Sequence, residues 1–224
     1  MQVCFFDIDG TLINTGGAGM VAFEEALISE FDGAKLPKSV STTGRTDRGI
    51  ARDLFKLHDI EDSQTNWERL QECYVRRLRA SLPRHEGRVL PGITSLLERL
   101  AGRADVIVGL LTGNVREGAR LKLEHYGLFH HFALGGYGDR HVDRGNVAQE
   151  AFDAVCQHLS TTVNPRQVWV IGDTPLDVRC ARSIGAKALA VATGTHTVDE
   201  LASERPDCVL DDLSNTDEAA TLLA

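Results

Sequence analysis

Short apolar runs alternate along the chain with stretches whose apolar residues recur every three or four positions. The strand-length runs are Val3 to Phe6, Val106 to Leu111, Phe132 to Leu134, Val168 to Ile171, Ala188 to Ala192 and Cys208 to Leu210. Several are apolar almost throughout, as strands covered on both faces should be. Between them Ile93, Leu96, Leu97 and Leu100 fall at i, i+3, i+4 and i+7, one face of a helix. "NVREGARLKLEHYG" predicts a helix capped by Asn114, with Glu117 three residues on and Gly127 at its end. "TPLDVRCARSIG" places Thr174 at a cap, Pro175 at the first helical position and Gly185 past the end. Such alternation predicts an α/β fold, a doubly wound, mostly parallel Rossmann-like sheet.

One segment breaks the rhythm. From Gly16 to Glu86 the pattern predicts helices over residues 18–31, 46–57 and 64–81 and no strand. "NTGGAG" and "LPRHEGRVLPG", both rich in loop formers, bracket it. The predicted organisation is therefore a core domain of residues 1–15 and 87–224 with a helical domain of residues 16–86 inserted after the first strand. The glycines of "GGAG" read as a hinge. There is no GxxxxGK[ST], and "GGYGD" falls short of a dinucleotide fingerprint.

Composition narrows the classes. A net charge of −8 over 224 residues argues against a nucleic-acid backbone binder, which needs a basic face. It leaves room for a small anionic substrate held by local cations. The five cysteines are scattered, odd in number and without CxxC, so neither a disulfide framework nor a zinc site is expected and a reducing cytoplasm is the default. No run approaches the ~18 apolar residues of a membrane helix. The N-terminus reads as a buried strand rather than a signal peptide.

In a doubly wound sheet, ligands bind at the carboxyl ends of the strands. The first predicted strand ends in Asp7 and Asp9, whose i, i+2 spacing sends both side chains one way. "VIVGLL" ends in Thr112-Gly113-Asn114, and "VWVIG" ends in Asp173, with Asp177 four residues later. Two of these ends run into helix N-termini, which favour anions. Several carboxylates beside an anion site suit Mg²⁺ and a phosphate.

"FFDIDGTLI", "LLTGN" and "VIGDTPLD", in this order and at these distances, resemble the haloacid dehalogenase-like hydrolases, and within them the phosphoglycolate phosphatase and β-phosphoglucomutase branch, which carries a helical cap after its first strand. The resemblance implies that Asp7 attacks phosphorus to form an aspartyl-phosphate and that Asp9 serves as acid and then base. It implies that Asp173 holds Mg²⁺ with an Asp7 oxygen and the Asp9 main-chain carbonyl, and that Asp177 assists through water or by orienting a neighbour. Thr112, with the backbone N–H groups of Gly113 and Asn114, would bind phosphoryl oxygens. Helix capping remains open for Thr112, Asn114 and Asp177. The family's usual third-motif lysine is missing: "DRGNVAQEAF" offers Arg144, a permanent cation suited to phosphate. Arg140 is its rival, and Lys122 or a cap arginine the fallback. In the cap, Arg45 of "STTGRTD" is a candidate anchor for a substrate anion.

The implied activity is Mg²⁺-dependent hydrolysis of a small phosphomonoester, phosphoglycolate phosphatase-like, by a cytoplasmic enzyme that needs neither nucleic acid nor membrane. A phosphomutase using the same Asp7 is the nearest alternative, and a non-catalytic regulatory module comes from a different class. Substrate and oligomeric state stay open.

Overall fold

The computed structural model describes residues 1–37 and 40–223. Five strands and one two-residue strand form a parallel sheet: β1 (Gln2–Phe6), β4 (Val106–Leu111), β5 (Gly135–Gly136), β6 (Val168–Gly172), β7 (Lys187–Val191) and β8 (Cys208–Leu210), in the order β5-β4-β1-β6-β7-β8. β1 lies inside the sheet, paired in parallel with β4 on one side and β6 on the other. The expected α/β fold is therefore met.

Strand alternation divides the core between the two faces. Cys4, Phe6, Val108, Leu110, Trp169, Ile171 and Leu189 pack on one side with α4 (Ile93–Ala101), α5 (Arg116–His125) and α9 (Thr216–Leu222). Val3, Phe5, Leu111, Val168, Val170, Ala188 and Ala190 pack on the other with α6 (Arg144–Leu159), α7 (Pro175–Ser183) and α8 (Val198–Ser203). The first predicted helix pattern, from Ile93 to Leu100, is the buried face of α4.

The strandless segment holds α1 (Ala18–Glu30), α2 (Asp47–Leu57) and α3 (Gln64–Ser81), within a residue of the expected limits at each end. Their apolar faces share a third core, in which Phe23 meets Tyr74 and Phe31 meets Phe55 edge-on. Val115 and Leu121 of the sheet-bearing part join that core. Where the chain leaves and returns, β2 (Ile13–Asn14) pairs antiparallel with β3 (Arg88–Val89), a two-residue ladder too short to show as a sequence pattern.

Two local expectations need correction. The strand expected at Phe132 to Leu134 lies two to three residues later, at Gly135–Gly136; Phe132 ends the preceding turn of residues 129–131, its ring edge-on to Phe6 in the core. Asn114 is not the cap of α5. The helix starts at Arg116 after Val115, and the Asn114 side chain is committed elsewhere.

Candidate active site

The carboxyl ends of β1, β4 and β6, three adjacent strands, meet around one cavity. Asp7 prolongs β1 by one rung, donating its N–H to Ile171 O at 2.9 Å. The chain then turns at Gly10, with φ +84°, where a Cβ would lie 2.4 Å from Asp173 Oδ2. Only glycine meets both demands. Thr11 Oγ1 donates to Asp173 Oδ1 at 3.2 Å, tying the first loop to the end of β6. At the end of β4, the buried Thr112 hydroxyl accepts from Asn114 N at 3.3 Å and from Asn114 Nδ2 at 2.8 Å.

Asp7 and Asp9 take different partners. Asp7, Asp173 and Asp177 are all buried, and each offers a carboxylate oxygen such that the three lie within 4.8 Å of one another. Burial pushes the Asp7 carboxyl above its ordinary range; the Arg144 guanidinium opposes this, and the charges of Asp177 and Asp9 add to it. Burial raises Asp173 further, helped by Asp177 and Asp7. Crowded, buried carboxylates of this kind are stabilised by a bound cation. The donors are all hard oxygens, which is the set Mg²⁺ takes. The cluster therefore fits the expected metal, with Asp7 and Asp173 as the available ligands. Asp177 is already engaged: it accepts from Thr174 N at 3.0 Å and Thr174 Oγ1 at 2.7 Å and forms an ion pair with Arg144. It closes a capping box at the start of α7, so the capping reading of Asp177 holds.

Arg144 is the first residue of α6 and only 7% exposed. Its Nη2 lies 3.2 Å from Asp7 Oδ1 and also reaches Asp177, while Nη1 donates to Gly44 O at 2.8 Å. Nε finds no acceptor among the described residues. Arg140, the rival, is exposed.

The loop before α2 presses onto the same strand ends. A Cβ on Gly113 would stand 2.1 Å from Arg45 O, and Asp47 N donates to Gly113 O at 2.8 Å. The Asp47 carboxylate in turn accepts from Val115 N at 2.8 Å, capping α5 from another segment of the chain. Burial pushes Asp47 up to about 6, with Lys122 pulling it down. Arg45 borders the cavity, yet its guanidinium serves its own segment: Asp53 Oδ2 at 2.6 Å, Ser41 O at 3.1 Å and Gly49 O at 3.2 Å. Arg45→Ala should therefore disturb the 41–49 loop and change KM ratios across a substrate panel by less than about three-fold, the scale of an exposed ion pair. A selective ten-fold loss for anionic leaving groups would restore it as an anchor.

Sequence reasoning missed Asp47, missed Thr193 and Gly194, which border the cavity with Thr193 Oγ1 donating to Gly10 O at 2.6 Å, and gave Lys122 only a fallback role. Lys122 is buried, with Nζ 2.6 Å from Asp9 Oδ2. Its signal was faint but present, a lysine three and four residues after the buried Ala119 and Gly118 and between two leucines. The whole cavity measures about 430 Å³ and has an apolar side formed by Ile13, Met20, Phe23 and Ile50.

A parallel sheet thus carries an acidic cluster and a buried arginine at its carboxyl edge, the arrangement of an α/β enzyme with its site at the strand ends. The model of the haloacid dehalogenase-like hydrolases matches residues 1–185, and the chain belongs to that family. The expected enzyme class, a hydrolase of phosphoric monoesters, is met at that level. Phosphoglycolate phosphatase of Synechococcus elongatus is 28% identical over 231 residues, covering 100% of this chain and 99% of its own. Validoxylamine A 7'-phosphate phosphatase of Streptomyces hygroscopicus subsp. limoneus is also 28% identical, covering 95% and 94%. A hydrolase from Pseudomonas syringae superposes with a TM-score of 0.73 at 20% identity over 100% of both chains, which speaks to the fold. No helix among the described residues is long and apolar enough to cross a membrane.

Proposed function

We propose that the protein is a Mg²⁺-dependent phosphatase that hydrolyses a small phosphomonoester through a phosphoenzyme on Asp7. The carrying observation is the Asp7–Asp173–Asp177 cluster with Arg144 beside Asp7, at the carboxyl ends of adjacent strands. Asp7 attacks phosphorus while Asp9 protonates the leaving oxygen; Asp9 then takes a proton from the water that hydrolyses the aspartyl-phosphate. The Thr112 hydroxyl proton and the Gly113 N–H bind phosphoryl oxygens, joined by the Asn114 N–H once it leaves Thr112 Oγ1, and Arg144 Nε is a donor without a partner among the described residues. Asp7, Asp173 and the Asp9 main-chain carbonyl would hold Mg²⁺, which would screen phosphoryl charge, and Asp177 keeps Arg144 in place. Residues 16–86 serve as the cap that chooses the leaving group. Five free cysteines fit a cytoplasmic enzyme.

Relatives at equal identity act on different phosphates, so the natural substrate has to be measured. A phosphomonoester panel that includes phosphoglycolate, with Mg²⁺ and phosphate release as the readout, tests the reading. Isomerised sugar phosphate without free phosphate would favour a phosphomutase, and absence of turnover a regulatory module.

Metal removal gives a second test. Asp7 and Asp173 have folded pKa values above the unfolded value of about 3.9. Their contribution to stability is thus complete below that value and is lost as pH rises through the folded values. The chelated protein should lose thermal stability as pH climbs from acid to neutral, and Mg²⁺ should return about 2.7 kcal/mol at a hundred times Kd. Binding at neutral pH should release protons, read by calorimetry in buffers of differing ionisation enthalpy. Full activity in chelator would count against the metal site, whereas Mg²⁺ binding without proton release would show only that Asp7 and Asp173 are already ionised.

A further inference from the structure

We propose that Lys122 is a positioning residue for Asp9: with Asn114 it clamps one carboxylate oxygen, so that the other carries the proton exchanged with substrate. The proposal rests on the phosphatase reading above. A buried lysine is kept charged only by strong partners. Lys122, 4% exposed, has two: its Nζ donates to Asp9 Oδ2 at 2.6 Å and to Asn114 Oδ1 at 2.6 Å. The Asn114 amide completes a triangle, with Nδ2 donating to the same Asp9 Oδ2 at 2.8 Å and to Thr112 Oγ1 at 2.8 Å.

A carboxylate oxygen offers about two lone-pair sites, so two donors fill Oδ2. Oδ1 is left, with no protein hydrogen bond among the described residues, on a side chain that is 41% exposed and borders the cavity. The carboxylate is thereby fixed in plane and polarity. As Asp7 bonds to phosphorus and the ester P–O bond breaks, the Oδ1 proton passes to the leaving oxygen. When water bonds to phosphorus and the aspartyl P–O bond breaks, the water proton returns to Oδ1. Lys122 exchanges no proton in either step.

The clamp is closed from the helical segment. A Cβ on Gly19, in the first turn of α1, would lie 3.3 Å from both Cε and Nζ of Lys122. The lysine end thus occupies the space a side chain would need.

The test uses the full chain with Mg²⁺ and two esters. p-Nitrophenyl phosphate expels a stable phenolate without protonation, whereas glycerol 2-phosphate expels an alkoxide that needs a proton. kcat/KM reports the steps up to the phosphoenzyme, so it isolates the acid role of Asp9. Lys122→Met, matched in length but uncharged, should lower kcat/KM for the alkyl ester by on the order of ten-fold more than for the aryl ester, a part of the 10²–10⁴ a general acid supplies. In an Asp9→Asn background Lys122→Met should add less than about two-fold, because both changes remove one function. Lys122→Gln keeps an N–H donor and should recover part of the ratio. Gly19→Ala, which crowds the lysine end without altering the sheet, should shift the ratio in the same direction as Lys122→Met, and it serves if that variant does not fold. Equal losses on both esters, a full additive cost in the Asp9→Asn background, or a wild-type ratio in both Lys122→Gln and Gly19→Ala would overturn the proposal. A wild-type enzyme inactive on both esters and on the whole phosphomonoester panel would overturn the phosphatase reading and this proposal together.

Discussion

Asp7→Asn should leave no measurable turnover and no phosphoenzyme, a loss on the order of 10⁴-fold or more, as when a nucleophile is deleted elsewhere. Asp7 stands one rung past β1, inside the sheet, with Arg144 3.2 Å away and the Asp173 and Asp177 carboxylates crowding it. The asparagine amide matches the carboxylate in shape but cannot form an acyl phosphate. The same change removes one of three like charges from a buried cluster whose repulsion and desolvation raise the Asp7 carboxyl. Asp7→Asn should accordingly keep, or slightly raise, the melting temperature in chelator, and lose part of the stabilisation by Mg²⁺. An inactive, stable protein separates lost chemistry from lost fold. Asp9→Asn gives the contrast: with an aryl phosphate the phosphoenzyme forms and then persists, and mass spectrometry of the quenched enzyme locates it on Asp7. A phosphoryl group found on Asp9 would reverse the roles.

The strand ends were legible because the alternation of apolar runs and helical patterns leaves polar residues in fixed places. Asp7, Thr112, Asp173 and Asp177 each follow directly, or by one helical turn, from an apolar run. The three helices of residues 16–86 were legible for the same reason: their apolar stripes bury against one another. Contacts between segments distant in sequence were not. Asp47 reads as the first acidic residue of α2, an ordinary helix-start choice. Its role as a cap for α5 depends on the 44–47 loop lying against Gly113. Asn114 reads as that cap because asparagine favours the position, but the pull of Asp9 and Lys122 on its side chain wins, and the helix begins two residues later. Lys122 stays hidden because a lone lysine on a helix is usually solvated, and only the folded chain brings Asp9, 113 residues away, to its amino group.

Arg144→Ala should lower kcat/KM by on the order of a hundred-fold or more, the range seen when one donor to a charged transition state is lost. The phosphoryl group in flight carries charge on its equatorial oxygens, and a cation fixed beside the nucleophile stabilises that charge without reorganisation. The structure adds a second cost. Arg144 is buried between Asp7 and Asp177, so its loss leaves two desolvated carboxylates without their partner, which typically costs about 3–5 kcal/mol. The chelated variant should therefore melt well below wild type, with Mg²⁺ restoring part of the difference by neutralising Asp7. The family's usual lysine at the third motif suggests by itself that Arg144→Lys would retain substantial activity. The geometry lowers that expectation. The guanidinium reaches Gly44 O with one terminal nitrogen, and Asp7 and Asp177 with the other. An ammonium is a single point charge and cannot span those acceptors at once. Arg144→Lys should keep the charge effect on kcat in part, yet loosen the 44–47 loop, so that KM rises. Arg140→Ala, at an exposed position, is the control and should change neither parameter by more than about two-fold. A crippling Arg140→Ala beside a near-wild-type Arg144→Ala would move the cation four residues upstream, to the loop before α6.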